Sequence, residues 1–196
     1  MHPKISFITP TIARDSLTTA CDSLLAQTYQ NWEQIVVVDS IRQKRDWHNL
    51  VPQDARIHVV EYVRRTDGND CGNSARHVGW CFASGDYLAY LDDDNYMYND
   101  RALQQIVEQI DGEDVILFPI MFVGGYFPAE TPPTVDHIDT GQIFHKKYIG
   151  GSPVQWMVEP GLSNDGIFIS NCWSCAESKT ALKGEPLIRH VGRNYG

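Results

Sequence analysis

The chain has 196 residues, 42% of them hydrophobic, with a formal net charge of −9 and a pI near 5.1. That length suits one domain with a sizeable core, residues 1–196, and is short for two. The negative balance argues against nonspecific binding to nucleic acid or anionic membrane, both of which need a cationic face. No apolar run approaches the ~20 residues that span a bilayer. The opening MHPKISFITP lacks the ordered regions of a signal peptide, so the expected compartment is cytoplasmic.

In chain order, KISFIT is an apolar run closed by Pro10 and predicts a buried first strand. Ser16 is placed to cap a helix whose Leu17, Ala20, Cys21, Leu24 and Leu25 recur at helical spacing. WEQIVVVDS predicts a second strand, apolar until Asp39, and RIHVVEY a third. NSARHVGWCFAS predicts a helix with Ala75, Val78, Gly79 and Phe82 turned inward, and GDYLAYL a fourth strand. Leu103, Ile106, Val107 and Ile110 mark a further helix, and DVILFPIMF reads as one fifth strand. Unalternated apolar strands separated by helices indicate an α/β architecture with a mostly parallel sheet covered on both faces. After Phe122 the chain turns rich in Gly and Pro, which indicates a long functional loop or an irregular lobe. Five cysteines without framework spacing suit reduced thiols, and CxxC at Cys172 and Cys175 has neither a second ligand pair nor a thioredoxin-like strand before it.

In open parallel sheets ligands gather at the carboxyl ends of strands. The residues that end the apolar runs are Thr9-Pro10-Thr11, Asp39-Ser40 and Asp92-Asp93-Asp94, all polar apart from Pro10. Adjacent carboxylates raise one another's pKa unless a cation compensates them. Hard oxygen ligands select Mg²⁺, Mn²⁺ or Ca²⁺, although a bare run of three aspartates also fits a solvated acidic turn.

Several ordered blocks give that run a context. SFITPT, then SLTTACDSLLAQTYQNWEQIVVVDS, then GNSARHVGWCFASGDYLAYLDDDN resemble the family-2 glycosyltransferases of the GT-A fold from about Lys4 to Asn95. The resemblance implies a nucleotide-binding half at 1–95 and an acceptor-binding half at 96–196. It makes Asp92 and Asp94 the outer members of a metal-binding D-x-D with Asp93 between them. It sets Asp39 against the nucleotide base, Thr9, Pro10 and Thr11 against base and ribose, and Arg76 toward the diphosphate, with Asp92 and Asp93 in the same nucleotide-binding set. The chain departs from the family in having Asp39-Ser40 where two aspartates are common, Asn95 for a further aspartate, His77 for asparagine, and one residue fewer between Gly72 and Arg76.

In the second half, Asp165 of GLSNDGIFISN stands where the resemblance puts an acidic general base, and a plain helix-cap aspartate is the competing reading. Some GT-A enzymes carry a histidine near the carboxyl terminus as a third metal ligand, which makes His190 a candidate and tilts the metal toward Mn²⁺ over Mg²⁺. Arg189 and Arg193 flank it, within reach of diphosphate oxygens or as surface residues. Trp156 is a candidate platform for an acceptor sugar, with core as the alternative, and DTGQIFHKKY resembles a segment lining the acceptor or donor-sugar side, which brings in Asp139. The expected function is metal-dependent transfer of a sugar from a nucleotide-diphosphate donor, UDP-sugar before GDP-sugar, to a saccharide or other hydroxyl acceptor, inverting with Asp165 as base. Two rival readings stay open. One is a non-catalytic sugar- or metal-binding module, and the other a nucleotidyltransferase, for which TPTIARDS lacks the Gly-rich, lysine-bearing loop.

Overall fold

The computed structural model describes residues 2–63, 70–135, 137–156 and 164–191. Its large sheet is built on β1 (Ile5–Thr11) and β2 (Trp32–Asp39), whose residues are all buried, as strands with helices on both faces must be. Between them runs α1 (Ser16–Leu25), and β3 (Ile57–Tyr62), only partly buried, closes the sheet edge beside β2. The helix α2 (Asn73–Phe82) then leads to β4 (Tyr87–Tyr90), which pairs parallel to β1.

Beyond the aspartate run come β5 (Asn95–Met97), α3 (Ala102–Val107), β6 (Val115–Leu117), β7 (Ile120–Phe122) and β8 (Gly125–Phe127). The remaining elements are β9 (Ile143–Lys146), β10 (Tyr148–Ile149), β11 (Ser152–Pro153), α4 (Asn164–Cys175), β12 (Lys179–Ala181) and β13 (Ile188–His190). The large sheet has the order β12-β6-β9-β4-β1-β2-β3, parallel except where β9 runs against β4 and β6. A four-stranded sheet, β5-β13-β7-β8, sits apart, as does the two-stranded pair β10-β11.

Successive strand residues point to opposite faces, and the core divides accordingly. Phe7 and Ala89 pack with Ala20 and Leu24 of α1 and with Leu103 and Ile106 of α3. Ile8, Leu88 and Tyr90 pack with Trp80 of α2 and with Phe168, Ile169 and Cys172 of α4. The result is the α/β layer structure expected. No helix among the described residues is long and apolar enough to cross a membrane.

Three local expectations are corrected. DVILFPIMF is two strands in two sheets, because Pro119 has no N–H to continue a ladder and the chain leaves the large sheet there. Ser16 is the first helical residue of α1, preceded by Asp15, whose side chain makes no capping bond. Phe82 is 60% exposed, since the buried stripe of α2 runs through Ala75, Arg76, Gly79 and Trp80 and turns Phe82 outward.

At the amino-terminal edge of the sheet, Glu33 is held by Lys4 Nζ at 2.6 Å, Ser6 Oγ at 2.6 Å and the Ser84 amide at 2.7 Å. Burial opposes its charge, but these donors prevail and hold the carboxyl at about 2. A depressed folded-state pKa contributes stability that is present above the ordinary glutamate value near 4.5 and is lost as the pH falls toward 2. Glu33→Gln is therefore expected to lower unfolding free energy by on the order of 2 kcal/mol at pH 7, since buried donors lose an ionic acceptor. Denaturant titrations should show the gap between variant and wild type narrowing at pH 3, and a gap independent of pH would remove the ionic account.

Candidate active site

The carboxyl ends of β1, β2 and β4 supply the floor of the site, and α2 supplies its cation. Arg76 is 2% exposed. Its Nη2 donates to Asp92 Oδ1 at 2.6 Å and its Nη1 to the Cys71 carbonyl at 2.9 Å. Burial works against the guanidinium's charge, but Asp92, Asp165 and Asp139 outweigh it and push its pKa further up. Of these three carboxylates, from the loop after β4, the first turn of α4 and the turn before β9, Asp92 pairs with the buried arginine directly and Asp165 and Asp139 act on it through space.

Local sequence explains how Arg76 is aimed. Asp70 accepts from the amides of Gly72 at 3.1 Å and Ser74 at 3.0 Å and so opens α2. Gly72 has φ +87°, and a Cβ there would lie 3.3 Å from both Arg76 Nη1 and Pro10 Cβ, so backbone and space both require glycine. Ala13 (φ 57°) and Cys71 (φ 54°) also take the left-handed region, one residue before Arg14 and one before Gly72. Strain of this kind, on the order of 1 kcal/mol each, collects at sites whose loops are fixed by their surroundings.

The aspartate run splits in two directions. Asp92 and Asp94 keep part of their carboxylates open, whereas Asp93 is 1% exposed and accepts from Thr11 Oγ1 at 2.6 Å and from Arg14 Nη1. Burial raises the Asp93 pKa to about 6 against the pull of Arg14 and Thr11, with Asp94 and Asp92 pushing the same way. Arg14 Nη1 also lies 3.6 Å from Asp94 Oδ2.

This arrangement turns several of the residues expected near the nucleotide inward. Asp93 faces inward and holds its loop to β1. Thr9 is buried and accepts from Gln34 Nε2 at 2.9 Å, while Thr11 accepts from the Ala13 amide at 2.9 Å, so neither hydroxyl faces the crevice. Pro10 is buried beside Gly72. Asp39 ends β2 as expected, buried, with Oδ1 accepting from the Ile41 amide at 3.3 Å.

Asp139 caps the short 3₁₀ turn Thr140–Gln142 with a reciprocal pair of bonds, Gly141 N to Asp139 Oδ1 at 2.8 Å and Asp139 N to Gln142 Oε1 at 3.0 Å. Its carboxyl is raised by burial and by Asp92 and Asp165, against the Gly141 amide and His190. His190 lies with Nε2 3.9 Å from Asp139 Oδ2 and its ring 4.5 Å from that of Phe122. The expected trio of Asp92, Asp94 and His190 does not converge: no three His, Cys, Asp or Glu side chains among the described residues form a metal cage, and the β13 ladder with β5 seats His190 against Asp139. The donor set does fit a divalent ion that takes one or two hard carboxylate oxygens, Asp92 and Asp94, and completes its shell with water and substrate oxygens. Arg189 is exposed on β13, and Arg193 lies outside the described residues. Trp156 is corrected from acceptor platform to core: it is 3% exposed, stacked on Phe168 at 4.1 Å, with the Arg76 guanidinium over its ring at 5.1 Å.

Sequence reasoning missed Arg14, Asp70 and the buried pair of Tyr90 and His145, whose Oη and Nε2 are 2.8 Å apart. For Asp70 the signal was present, since Asp-x-Gly-Asn before a helix is a side-chain turn pattern. Arg14 and His145 carried none.

With this geometry in place, a family model described as glycosyl transferase family 2 matches residues 6–155. The chain belongs to that family. An uncharacterized glycosyltransferase of Haemophilus influenzae is 33% identical over 107 residues, covering 53% of this chain and 41% of the relative. The Escherichia coli UDP-Glc:alpha-D-GlcNAc-diphosphoundecaprenol beta-1,3-glucosyltransferase WfgD is 30% identical over 105 residues, covering 52% of this chain and 39% of that protein. The chain thus matches about two fifths of the length of these relatives. The crystal structure of S. aureus TarS 1–349 in complex with UDP-GlcNAc superposes with a TM-score of 0.77 at 18% identity, covering 98% of this chain and 60% of that one, so the fold is that of GT-A glycosyltransferases.

The start of α4 depends on a close approach. A Cβ on Gly166 would lie 2.0 Å from the Val135 carbonyl oxygen, a backbone atom that has no rotamer by which to yield. Gly166→Ala is expected to cost about 1 to 3 kcal/mol of stability and to displace the turn that bears Asp165. Denaturation together with backbone amide shifts at 134–135 and 165–170 reads both effects, and unchanged stability would show that the helix start is not seated on that loop.

Proposed function

We propose that this chain is a metal-dependent glycosyltransferase that moves a sugar from a nucleotide-diphosphate donor to the hydroxyl of a saccharide or other acceptor, with inversion at the anomeric carbon. The observation that carries the reading is the buried Arg76 set among Asp92, Asp139 and Asp165 at the carboxyl edge of the parallel sheet, in a family 2 chain. The names of WfgD and of the TarS complex favour a UDP-sugar over a GDP-sugar. Residues 1–196 act as one catalytic domain in the cytoplasm, with the nucleotide bound by the first half and the acceptor by the second.

In this reading Asp39 accepts from the nucleotide base, and the buried Arg76, held by Asp92 and the Cys71 carbonyl, acts on the diphosphate through space as a fixed positive charge. Asp92 and Asp94 would hold Mn²⁺ or Mg²⁺, which would supply Lewis-acid neutralisation of negative charge on the diphosphate. Asp165, in the first turn of the twelve-residue α4, is an anion favoured at a helix amino terminus. It takes the acceptor's O–H proton as that oxygen bonds to the anomeric carbon, and the carbon–oxygen bond to the diphosphate breaks with its electron pair leaving on the nucleotide.

Asp94→Ala is expected to reduce transfer by on the order of 10³, about 4 kcal/mol of transition-state stabilisation, and chelation of the wild type should do the same. Activity indifferent to EDTA would remove the metal. Asp165→Asn keeps the shape of the side chain but not its basicity, so donor affinity should hold while kcat falls by roughly 10² to 10⁴. Proton NMR of the first-formed product should show inverted configuration. Near-normal turnover would reduce Asp165 to a helix cap, and retained configuration would exclude single displacement.

A further inference from the structure

The two functional halves of the site meet at one ring. Trp156 carries the Arg76 guanidinium over its plane at 5.1 Å and stacks on Phe168 at 4.1 Å with 15° between the rings. The edge of Tyr90 meets it at 5.2 Å and 82°. Each neighbour leads to a different part of the machinery. Arg76 is on α2 and grips Asp92, Phe168 is on α4 less than one turn after Asp165, and Tyr90 ends β4 just before the aspartate run.

The base of this stack is fixed by hydrogen bonds. His145 is buried and its pKa is lowered by that burial to about 4, so its imidazole is neutral at physiological pH. Its Nδ1 lies 2.8 Å from the Lys146 carbonyl, which only accepts, so Nδ1 carries the proton and Nε2 is left to accept from the Tyr90 hydroxyl at 2.8 Å. Phe168 also meets the His145 ring at 5.3 Å and Tyr90 at 5.9 Å. The ring of Phe168 is thus seated on atoms fixed to the sheet, and Trp156 is the piece between that seat and Arg76.

We propose that Trp156 is a positioning residue for glycosyl transfer: by filling the space between Arg76 and Phe168, it sets where the Asp165 turn of α4 stands relative to the donor's diphosphate. The inference rests on the reading of Asp165 as the base. Arg76 has independent anchors in Asp92, Cys71 O and Asn73 Oδ1, the last at 3.4 Å, so losing the ring leaves the donor side in place. On the acceptor side Phe168 would keep its edge contacts with Tyr90 and His145 but lose its stacked partner, so the start of α4 is the part free to shift. The effect of removing the ring should therefore fall on turnover and spare nucleotide affinity, because misplacing a catalytic group by about 1 Å is enough to cost on the order of 10² in rate.

The test uses the full chain with Trp156→Leu, which keeps apolar volume without a ring, and Trp156→Phe, which keeps a ring. UDP affinity is measured by calorimetry in the presence of Mn²⁺, alongside kcat and donor KM. Trp156→Leu is expected to bind UDP within about twofold of wild type and to lose about 10- to 100-fold in kcat, and Trp156→Phe to regain most of that loss. Wild-type kcat in a folded Trp156→Leu would overturn the inference, as would UDP affinity falling in step with kcat or equal behaviour of Leu and Phe. If Trp156→Leu does not fold, Phe168→Leu approaches the same stack from α4 and should give the same division, with undiminished kcat again overturning it. Failure of the underlying reading is distinct: Asp165→Asn would then turn over normally, whatever the Trp156 variants do.

Discussion

The burial of the Arg76 guanidinium is the constraint on which most of the site depends. A charge in the interior is costly unless it is paired and hydrogen-bonded, and removing one partner of such a pair costs several kcal/mol. Asp92 provides the pairing, the Cys71 carbonyl takes a second donor and the Trp156 ring covers the plane, while the buried Nε has no hydrogen-bond partner among the described residues. The neighbouring peculiarities of the chain follow from that demand. Cys71 adopts a left-handed backbone that aims its carbonyl at Arg76, Gly72 leaves the space the guanidinium needs, and Asp70 opens α2 so that Arg76 stands on its buried face.

The aspartate run is intelligible in the same terms. Three successive carboxylates at the end of a buried strand would repel one another if all faced the same space. The chain separates them: Asp92 is given to Arg76, Asp93 is turned under the loop to Thr11 and Arg14, and Asp94 stays partly open at the mouth. The middle aspartate is thereby a tie between β1 and the loop after β4, which keeps the outer two apart and aimed. Asp139 and Asp165 add negative charge from the second half, so among the described residues the site gathers more carboxylates than cations. A divalent ion would supply the positive charge that the carboxylates, and an incoming diphosphate, both lack.

The aromatic block of Tyr90, His145, Trp156 and Phe168 gives the same site its mechanical coherence. It lies on the face of the sheet that α2 and α4 share, while α1 and α3 fill the other face with aliphatic side chains. Division of labour between the two faces follows from strand alternation alone, since Ile8 and Phe7, or Tyr90 and Ala89, must look opposite ways. The polar tie at Glu33 lies at the far end of the strands, so it anchors the sheet without touching the crevice.

By itself the sequence determined the layered α/β fold, the strands β1, β2 and β4 with their polar ends, and the recognition of Asp92, Asp94, Asp39 and Arg76 as residues to inspect. All but Arg76 were legible because apolar runs, helical spacing and residues ending a strand are local properties of the chain, whereas Arg76 was marked by the resemblance of its block to the family-2 glycosyltransferases. Tertiary structure alone decided which way each side chain faces. Thr9, Thr11 and Asp93 stand in the right loops but turn inward, and Trp156, which has the chemistry of a sugar platform, is closed between an arginine and a phenylalanine. The break at Pro119 sends one apolar run into two sheets, and only the position of β9 and β13 shows where each half goes. Arg14, Asp139 and His145 acquire their surroundings from segments tens of residues away, where no periodicity links them. Orientation and long-range contact come from packing the whole chain at once, and a single sequence records only the local preferences that such packing then selects among.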